Sequence, residues 1–411
     1  MRLEKIKSIA FVMVLVMVGL FNLGLHTNNT VSISENRNLQ TAPELSIEGF
    51  FRGNLTSKMD AFVSDQFMFR EDMIKVANAF QKLRGFSSDV IMETVIGDNM
   101  AGGNTGETDE DVNNSQGIQI NYFVYEDRAF RSFKKNENAE ISYAKAINDF
   151  ALDNPEVSVF SLVAPTQAAF IPEKYEKYTD SPVQSIERLK AYFDPKVSFL
   201  DVMPLMLGSD PSDLFFRTDH HWNGPGAYLG YVAFCESKGI EPIPLERLGE
   251  IKVEGFVGSF YNMTNNDVLK DNPDTIYAYT PLYPVTMTRT YMDKEGKISV
   301  ANPVAYSVSE KFISQKPSYG IFLGGDASVV VIETKSTVVK SNVLVVKDSY
   351  GNAFAPYLSN NYREVHIIDP RYWIGSLSDY VREHSIEDVI FVNNADINLY
   401  DVYDETLRKV F

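Results

Sequence analysis

Two short segments hold the residues best suited to chemistry. In the first, FFRTDHHWNGPGAY over residues 215–228, His220 and His221 follow Asp219 directly and precede Trp222. The whole chain has five histidines and two tryptophans, so this is a concentrated cluster. In the second, LVVKDSYGNAF over 344–354, a valine-rich run leads into Ser349 and then into helical sequence. A serine on such a turn lies at a helix N-terminus, where backbone N–H groups can hold a developing oxyanion. Tyr350 and Asn352 flank it as candidate oxyanion or substrate contacts, and Gly351 allows the sharp turn. A plain N-cap role for Asp348 or Ser349 explains the same residues.

A serine nucleophile needs a base, and the base needs an orienting carboxylate. Residues two apart in extended chain share a face, so Asp219 and His221 are expected to face one site while His220 points away, as a neighbour that packs or at most touches substrate. A metal reading would take Asp219, His220 and His221 as ligands. Adjacent histidines on a strand diverge and no further histidine-rich motif completes a set, so no metal site and no cofactor are expected. Trp222 is expected to pack beneath the loop, although an exposed indole would suit a sugar ring. Arg371, in DPRYW, either contacts an acidic or polyhydroxylated sugar or closes a structural ion pair. His366 and His384 read as structural, and Cys235 as a small core residue.

These residues need a scaffold, and the surrounding pattern describes one. Residues 141–154 and 183–194 have helical periodicity, with the apolar run VSVFSLVAPT between them. A further helix is expected over 224–238, ended by Gly239. From residue 341 onward the order reads strand–turn–helix, strand–loop, helix–strand, with short β-branched runs typical of strands buried on both faces. An α/β layered domain follows, with functional groups gathered at the carboxyl ends of its strands. Residues 250–330 alternate and turn often; they read as a small β-rich insertion roofing one side of a cleft, with DKEGK as a hairpin turn.

The 411 residues are 44% hydrophobic and 12% aromatic, enough for a substantial core. A net charge of −17 argues against nucleic-acid binding and against broad contact with anionic lipid headgroups. One cysteine excludes an intramolecular disulfide. At the start, Arg2, Lys5 and Lys7 precede about 18 mostly apolar residues, close to the length that spans a bilayer. Residues 1–25 are therefore expected to form a signal anchor with its N-terminus in the cytoplasm, 26–45 a linker, and 46–411 the extracytoplasmic domain. The alternative is secretion after signal cleavage. An amphipathic helix is expected around Met73, Val76, Phe80 and Leu83, and an acidic, glycine-rich loop over 97–119.

The motifs DQFMFRED, APTQAAFIPEKY, TDHHWN, GGD and KDSYGN occur in that order, and together they resemble the DHHW family. That family in turn resembles alginate O-acetyltransferase proteins of the AlgJ and AlgX type. The resemblance implies an SGNH-hydrolase-like domain, a flavodoxin-like parallel sheet in permuted order with flanking helices. It implies Asp219 as orienting carboxylate, His221 as base and Ser349 as nucleophile. The serine turn reads Lys-Asp-Ser where Gly-Asp-Ser or Gly-Thr-Ser is usual in the wider group. The implied activity is O-acetylation of a cell-surface polysaccharide or oligosaccharide, with a membrane-bound O-acyltransferase partner supplying acetyl groups. A carbohydrate acetyl-esterase and a non-catalytic polysaccharide-binding protein are the alternatives.

Overall fold

The structure, a computed structural model, describes residues 118–292, 296–301, 304–305, 317–325, 327–335, 340–396 and 403–411, with short pieces before residue 98. The expected anchor, linker, helix near residue 80 and acidic loop lie almost wholly outside the described residues. Among the described residues no helix is long and apolar enough to cross a membrane.

The chain divides into two units. The smaller comprises Met1–Asp89 with Gly106–Gln116; its described part includes a short antiparallel pairing of Val31–Ser32 with Arg37–Asn38. The larger, Val90–Thr105 with Gly117–Phe411, carries every residue singled out above for chemistry.

In the larger unit, β1 (Ile91–Gly97), β2 (Ile118–Tyr125) and β3 (Arg128–Arg131) form an antiparallel sheet. Helix α1 (Glu137–Asp153) follows, its first turn capped by the Asn136 side chain accepting the Ala139 N–H at 3.2 Å. Then come β4 (Ser158–Ala164), α2 (Pro182–Lys190) and β5 (Val197–Phe199). Helix α3 (Gly224–Lys238) begins on an Asn223 cap and stops at Gly239, whose φ of +71° suits a residue without Cβ. β6 (Gly249–Phe256), α4 (Ser259–Thr264) and β7 (Asp274–Thr280) come next. They are followed by β8 (Val285–Met292), β9 (Ile298–Val300), β10 (Val304–Ala305) and β11 (Val329–Thr334). The last stretch contains β12 (Asn342–Lys347), α5 (Gly351–Leu358), β13 (Glu364–Ile368), α6 (Leu377–Glu383), β14 (Ile386–Asn394) and α7 (Tyr403–Arg408).

A nine-stranded sheet runs β9-β8-β11-β13-β12-β14-β4-β5, with β10 also paired to β8. From β13 to β5 every pairing is parallel. Counted from β12 along the chain and back through β4, the parallel strands stand in the order 2-1-3-4-5, the flavodoxin-like doubly wound order in permuted form. The sheet is mixed rather than wholly parallel, because β8 and β11 extend it antiparallel. The expected insertion is thus two things. β6 and β7 pair separately, while β8 and β9 continue the main sheet past β11. Val285 and Met287, two apart on β8, join the core through one face, and that apolar face holds the strand on the sheet.

The alternation of strand side chains divides the core. On β12, Val343 and Val345 pack with α3 and α5 residues Tyr231, Phe234 and Phe354, while Leu344 and Val346 pack with Tyr143, Phe150 and Leu377 of α1 and α6. Helices therefore cover both faces, which accounts for the continuous apolar runs of the parallel strands. The turn after β12 opens between β13 and β14, at the point where the strand order reverses. In such sheets the crevice for a ligand forms there.

Candidate active site

The segment Arg217–His221 is a bend rather than a strand, closed by an antiparallel bridge between Phe215 and Trp222. The Asp219 carboxylate shapes it: Oδ1 accepts the His221 backbone N–H at 3.0 Å and lies 2.6 Å from His221 Nδ1. Its other oxygen accepts the Ser259 N–H at 2.8 Å. Asp219 and His221 are brought together as their spacing suggests, but through an Asx-type turn and not through strand alternation. For the same reason His220 does not point away. Its ring centroid lies 3.8 Å from that of His221, and its Nδ1 is 2.6 Å from Ser259 Oγ.

The bend is held from several sides. Gln167, from APTQ at the end of β4, donates to the carbonyl of Asp219 at 2.7 Å. Asp274 at the start of β7 accepts from Thr218 N and Oγ1 at 2.8 and 2.6 Å and from Arg217 N at 3.0 Å. Gly258 passes so close that a Cβ there would stand 2.3 Å from Asp219 Cβ. Only glycine fits that approach.

The serine turn reaches this bend from 128 residues later in the chain: His221 Nε2 lies 2.7 Å from Ser349 Oγ. Asp219 and His221 are buried and Ser349 is half-buried, so solvent reaches the arrangement from the serine side. Two hydrogen bonds tie the segments together. Trp222 Nε1 donates to the Tyr350 carbonyl at 3.0 Å, and the Tyr350 hydroxyl donates to the His220 carbonyl at 2.5 Å. Trp222 is fully buried, which rules it out as a platform for a sugar ring; its indole supports the turn from below. Tyr350 is also fully buried, and its N–H donates to Asp348 Oδ1 at 2.8 Å, so that amide is not available to an oxyanion. Asn352 is buried in the first turn of α5, its N–H on the Ser349 carbonyl at 3.2 Å. Among the described residues no acceptor is bonded to the N–H of Ser349 itself.

Asp348 fixes the turn to the neighbouring strand end, its Oδ2 accepting the Asn394 backbone and side-chain N–H groups, each at 2.8 Å. Burial raises its pKa. Lys347 does not face the site. It is buried under the turn with Nζ 2.9 Å from Asp369 Oδ2, and Arg371 grips the same carboxylate through Nε at 2.8 Å and Nη2 at 2.6 Å. Arg371 is thus committed to the ion pair and not to a ligand. Burial opposes the charge on Asp369, but Arg371 and then Lys347 outweigh it and hold the carboxyl below its usual range.

The electrostatics of the bend follow the same logic. Burial works against the Asp219 carboxylate, yet the His221 and His220 rings and the hydrogen bonds from His221 and Ser259 keep its pKa lowered. Burial, followed by the adjacent His221, pushes His220 well below the ordinary histidine value and leaves it neutral. Asp219, His220 and His221 have ligand atoms within 4.8 Å of one another, close enough to share a cation. Each already has a hydrogen-bond partner in the protein: His220 on Ser259, His221 on Asp219 and Ser349, and Asp219 on three donors.

One contact has no counterpart in the sequence reading. The Tyr319 ring stacks on His221 with centroids 3.7 Å apart and planes 7° from parallel. Two rings at these distances cannot share one face of an imidazole, so His221 is held between Tyr319 and His220. Gln167, the adjacent pair Gly258 and Ser259, and Tyr319 come from three separate connections. For Gln167 alone there was a signal, its place directly after an apolar strand.

The profile of the DHHW protein family matches residues 123–368. Among solved structures, the chain is similar to a DHHW family protein from Eubacterium siraeum. The two are 27% identical with a TM-score of 0.60, over 71% of this chain and 95% of that one. Bacillus cereus PatB1, in a structure with a sulfonyl adduct, is 18% identical at a TM-score of 0.56, over 71% of this chain and 100% of PatB1. The O-acetyltransferase domain of Pseudomonas putida AlgJ is 15% identical at a TM-score of 0.37, over 69% and 96%. No curated protein matches the sequence.

Proposed function

The chain belongs to the DHHW family, and from that premise we propose that it is an exported, membrane-anchored O-acetyltransferase acting through an acyl-enzyme on Ser349. One observation carries the reading: His221 Nε2 stands 2.7 Å from Ser349 Oγ while its Nδ1 stands 2.6 Å from Asp219. The carboxylate accepts a hydrogen bond from Nδ1–H, leaving the Nε2 lone pair to receive the serine proton. Ser349 Oγ then attacks the acetyl carbonyl, and the leaving group departs with the proton from His221. The Ser349 N–H, at the start of α5, is the amide placed to hold the oxyanion, in a site sheltered enough for that bond to count. A hydroxyl of a polysaccharide or oligosaccharide resolves the acyl-enzyme. The domain architecture in this reading is SGNH-hydrolase-like, and a membrane-bound acyltransferase delivers the acetyl group.

The test uses the full chain in detergent with a chromogenic acetyl ester, with and without an oligosaccharide acceptor. Wild-type protein should release chromophore with a burst and gain one acetyl group on Ser349 by mass spectrometry. Ser349→Ala should lose both, with turnover reduced about 10³-fold or more. Wild-type protein that neither turns over nor acylates would refute the reading. Acetate release that oligosaccharide never diverts would assign an esterase instead.

A further inference from the structure

Beside the Ser349–His221 pair lies a second serine–histidine pair that the acyl-enzyme mechanism leaves unused. His220 Nδ1 is 2.6 Å from Ser259 Oγ, and the His220 backbone N–H donates to the same oxygen at 3.3 Å. With one lone pair of Oγ taken by that N–H, the hydroxyl proton is free to be given to Nδ1, and in that tautomer Nε2 carries the hydrogen. Among the described residues Nε2 has no hydrogen-bond partner. The ring is about one-third exposed, whereas the rings of His221 and Tyr350 are buried. It packs at 3.8 Å against the base and presents a fixed donor there. Its backbone is fixed as well, by the Tyr350 hydroxyl on its carbonyl.

We propose that His220 is the acceptor-binding residue of the site: its Nε2–H holds a second hydroxyl of the sugar while His221 activates the neighbouring one. Ser259 is a positioning residue that sets the His220 tautomer and ring angle. This rests on the acyl-enzyme reading above. In the transfer step the attacking hydroxyl gives its proton to His221 Nε2. Its oxygen bonds to the acetyl carbon, the bond from that carbon to Ser349 Oγ breaks, and the proton passes to Oγ. Water has no second hydroxyl for His220 to hold, so the pair favours transfer to a diol over hydrolysis. A neutral His220, its pKa held well below the ordinary histidine value, suits a hydroxyl-binding donor better than an anion-binding cation.

Ser259→Ala is a clean probe, because the backbone N–H that Ser259 gives to Asp219 remains. Acyl-enzyme formation from a chromogenic acetyl ester is measured as a burst. Partitioning is then measured with glycerol, which has neighbouring hydroxyls, and with 1-propanol, which has one. Wild-type protein is expected to prefer glycerol. In Ser259→Ala and His220→Gln that preference should fall at least fivefold more than the burst rate does, and Ser259→Thr should restore it. Equal losses in burst and partitioning, an unchanged preference, or no preference in the wild type would overturn the proposal. A wild type without a burst refutes the acyl-enzyme reading itself, and this inference with it.

Discussion

Trp222 and Tyr350 join the two segments of the site from opposite directions: the indole N–H donates to the Tyr350 carbonyl, and the Tyr350 hydroxyl donates to the backbone just before His221. The distance from base to serine is thus set by two buried aromatic residues that need not touch a substrate. Trp222→Phe keeps an aromatic ring but fills less space and removes the indole N–H from the buried Tyr350 carbonyl. The expected cost is about 1–3 kcal/mol in chemical denaturation. Turnover should fall with little change in KM for a small ester, because the geometry of proton transfer is altered and not the binding surface.

Gly258→Ala tests how closely the Asp219 carboxylate is confined. The added methyl would stand 2.5 Å from Oδ2, so the carboxylate must move off His221. A displacement of about 1 Å can lower turnover about 10²-fold. Circular dichroism and the unfolding midpoint of the variant would show whether the fold survives the loss.

Asp219→Asn separates orientation from packing. The amide can still accept from His221 N–H, but it can also offer an N–H to Nδ1 and so favour the wrong tautomer. Turnover on an acetyl ester should fall about 10⁴-fold while the protein stays folded. A loss below tenfold would show that the carboxylate does not serve the base.

His366 makes the larger unit sensitive to acid. Burial lowers its pKa from the ordinary 6.5 to about 4, with Glu364 at 3.1 Å opposing the shift only in part. The folded state keeps the ring neutral, so the unfolded chain takes up the proton first as pH falls. Stability is full above about 6.5 and is lost progressively from there down to about 4. The shift corresponds to on the order of 3 kcal/mol. Urea unfolding at pH 7.5 and pH 4.5 should show a smaller drop for His366→Gln than for the wild type.

Features decided by local chemistry are legible in the sequence, and those decided by distant loops are not. The β-branched runs on β12, β13 and β14 identify buried strands because each is covered on both faces. The alternation on β8 gives a strand but not its place, since an antiparallel edge and a separate hairpin have the same pattern. At the site, the meeting of Asp219, His221 and Ser349 is legible because few residue types suit such a cluster. Spacing chose His221 over His220, although the chain there bends. Tyr319, Gly258 and Ser259 were not legible, as their places depend on how separate connections settle around the bend. The Tyr350 amide was misread because the Asp two positions earlier claims it.

The strand order has a consequence for how the protein comes into being. β14 lies between β12 and β4, with Asn394 opposite Ala164 at one end of the shared ladder. As a ribosome delivers the chain, β4 meets β5 early but must wait for nearly all the remaining sequence before β14 arrives on its other side. Pairings between such distant segments form slowly. The crevice beside Ser349 cannot close until β14 docks, so His221 and Ser349 face an incomplete wall until nearly the whole chain is present.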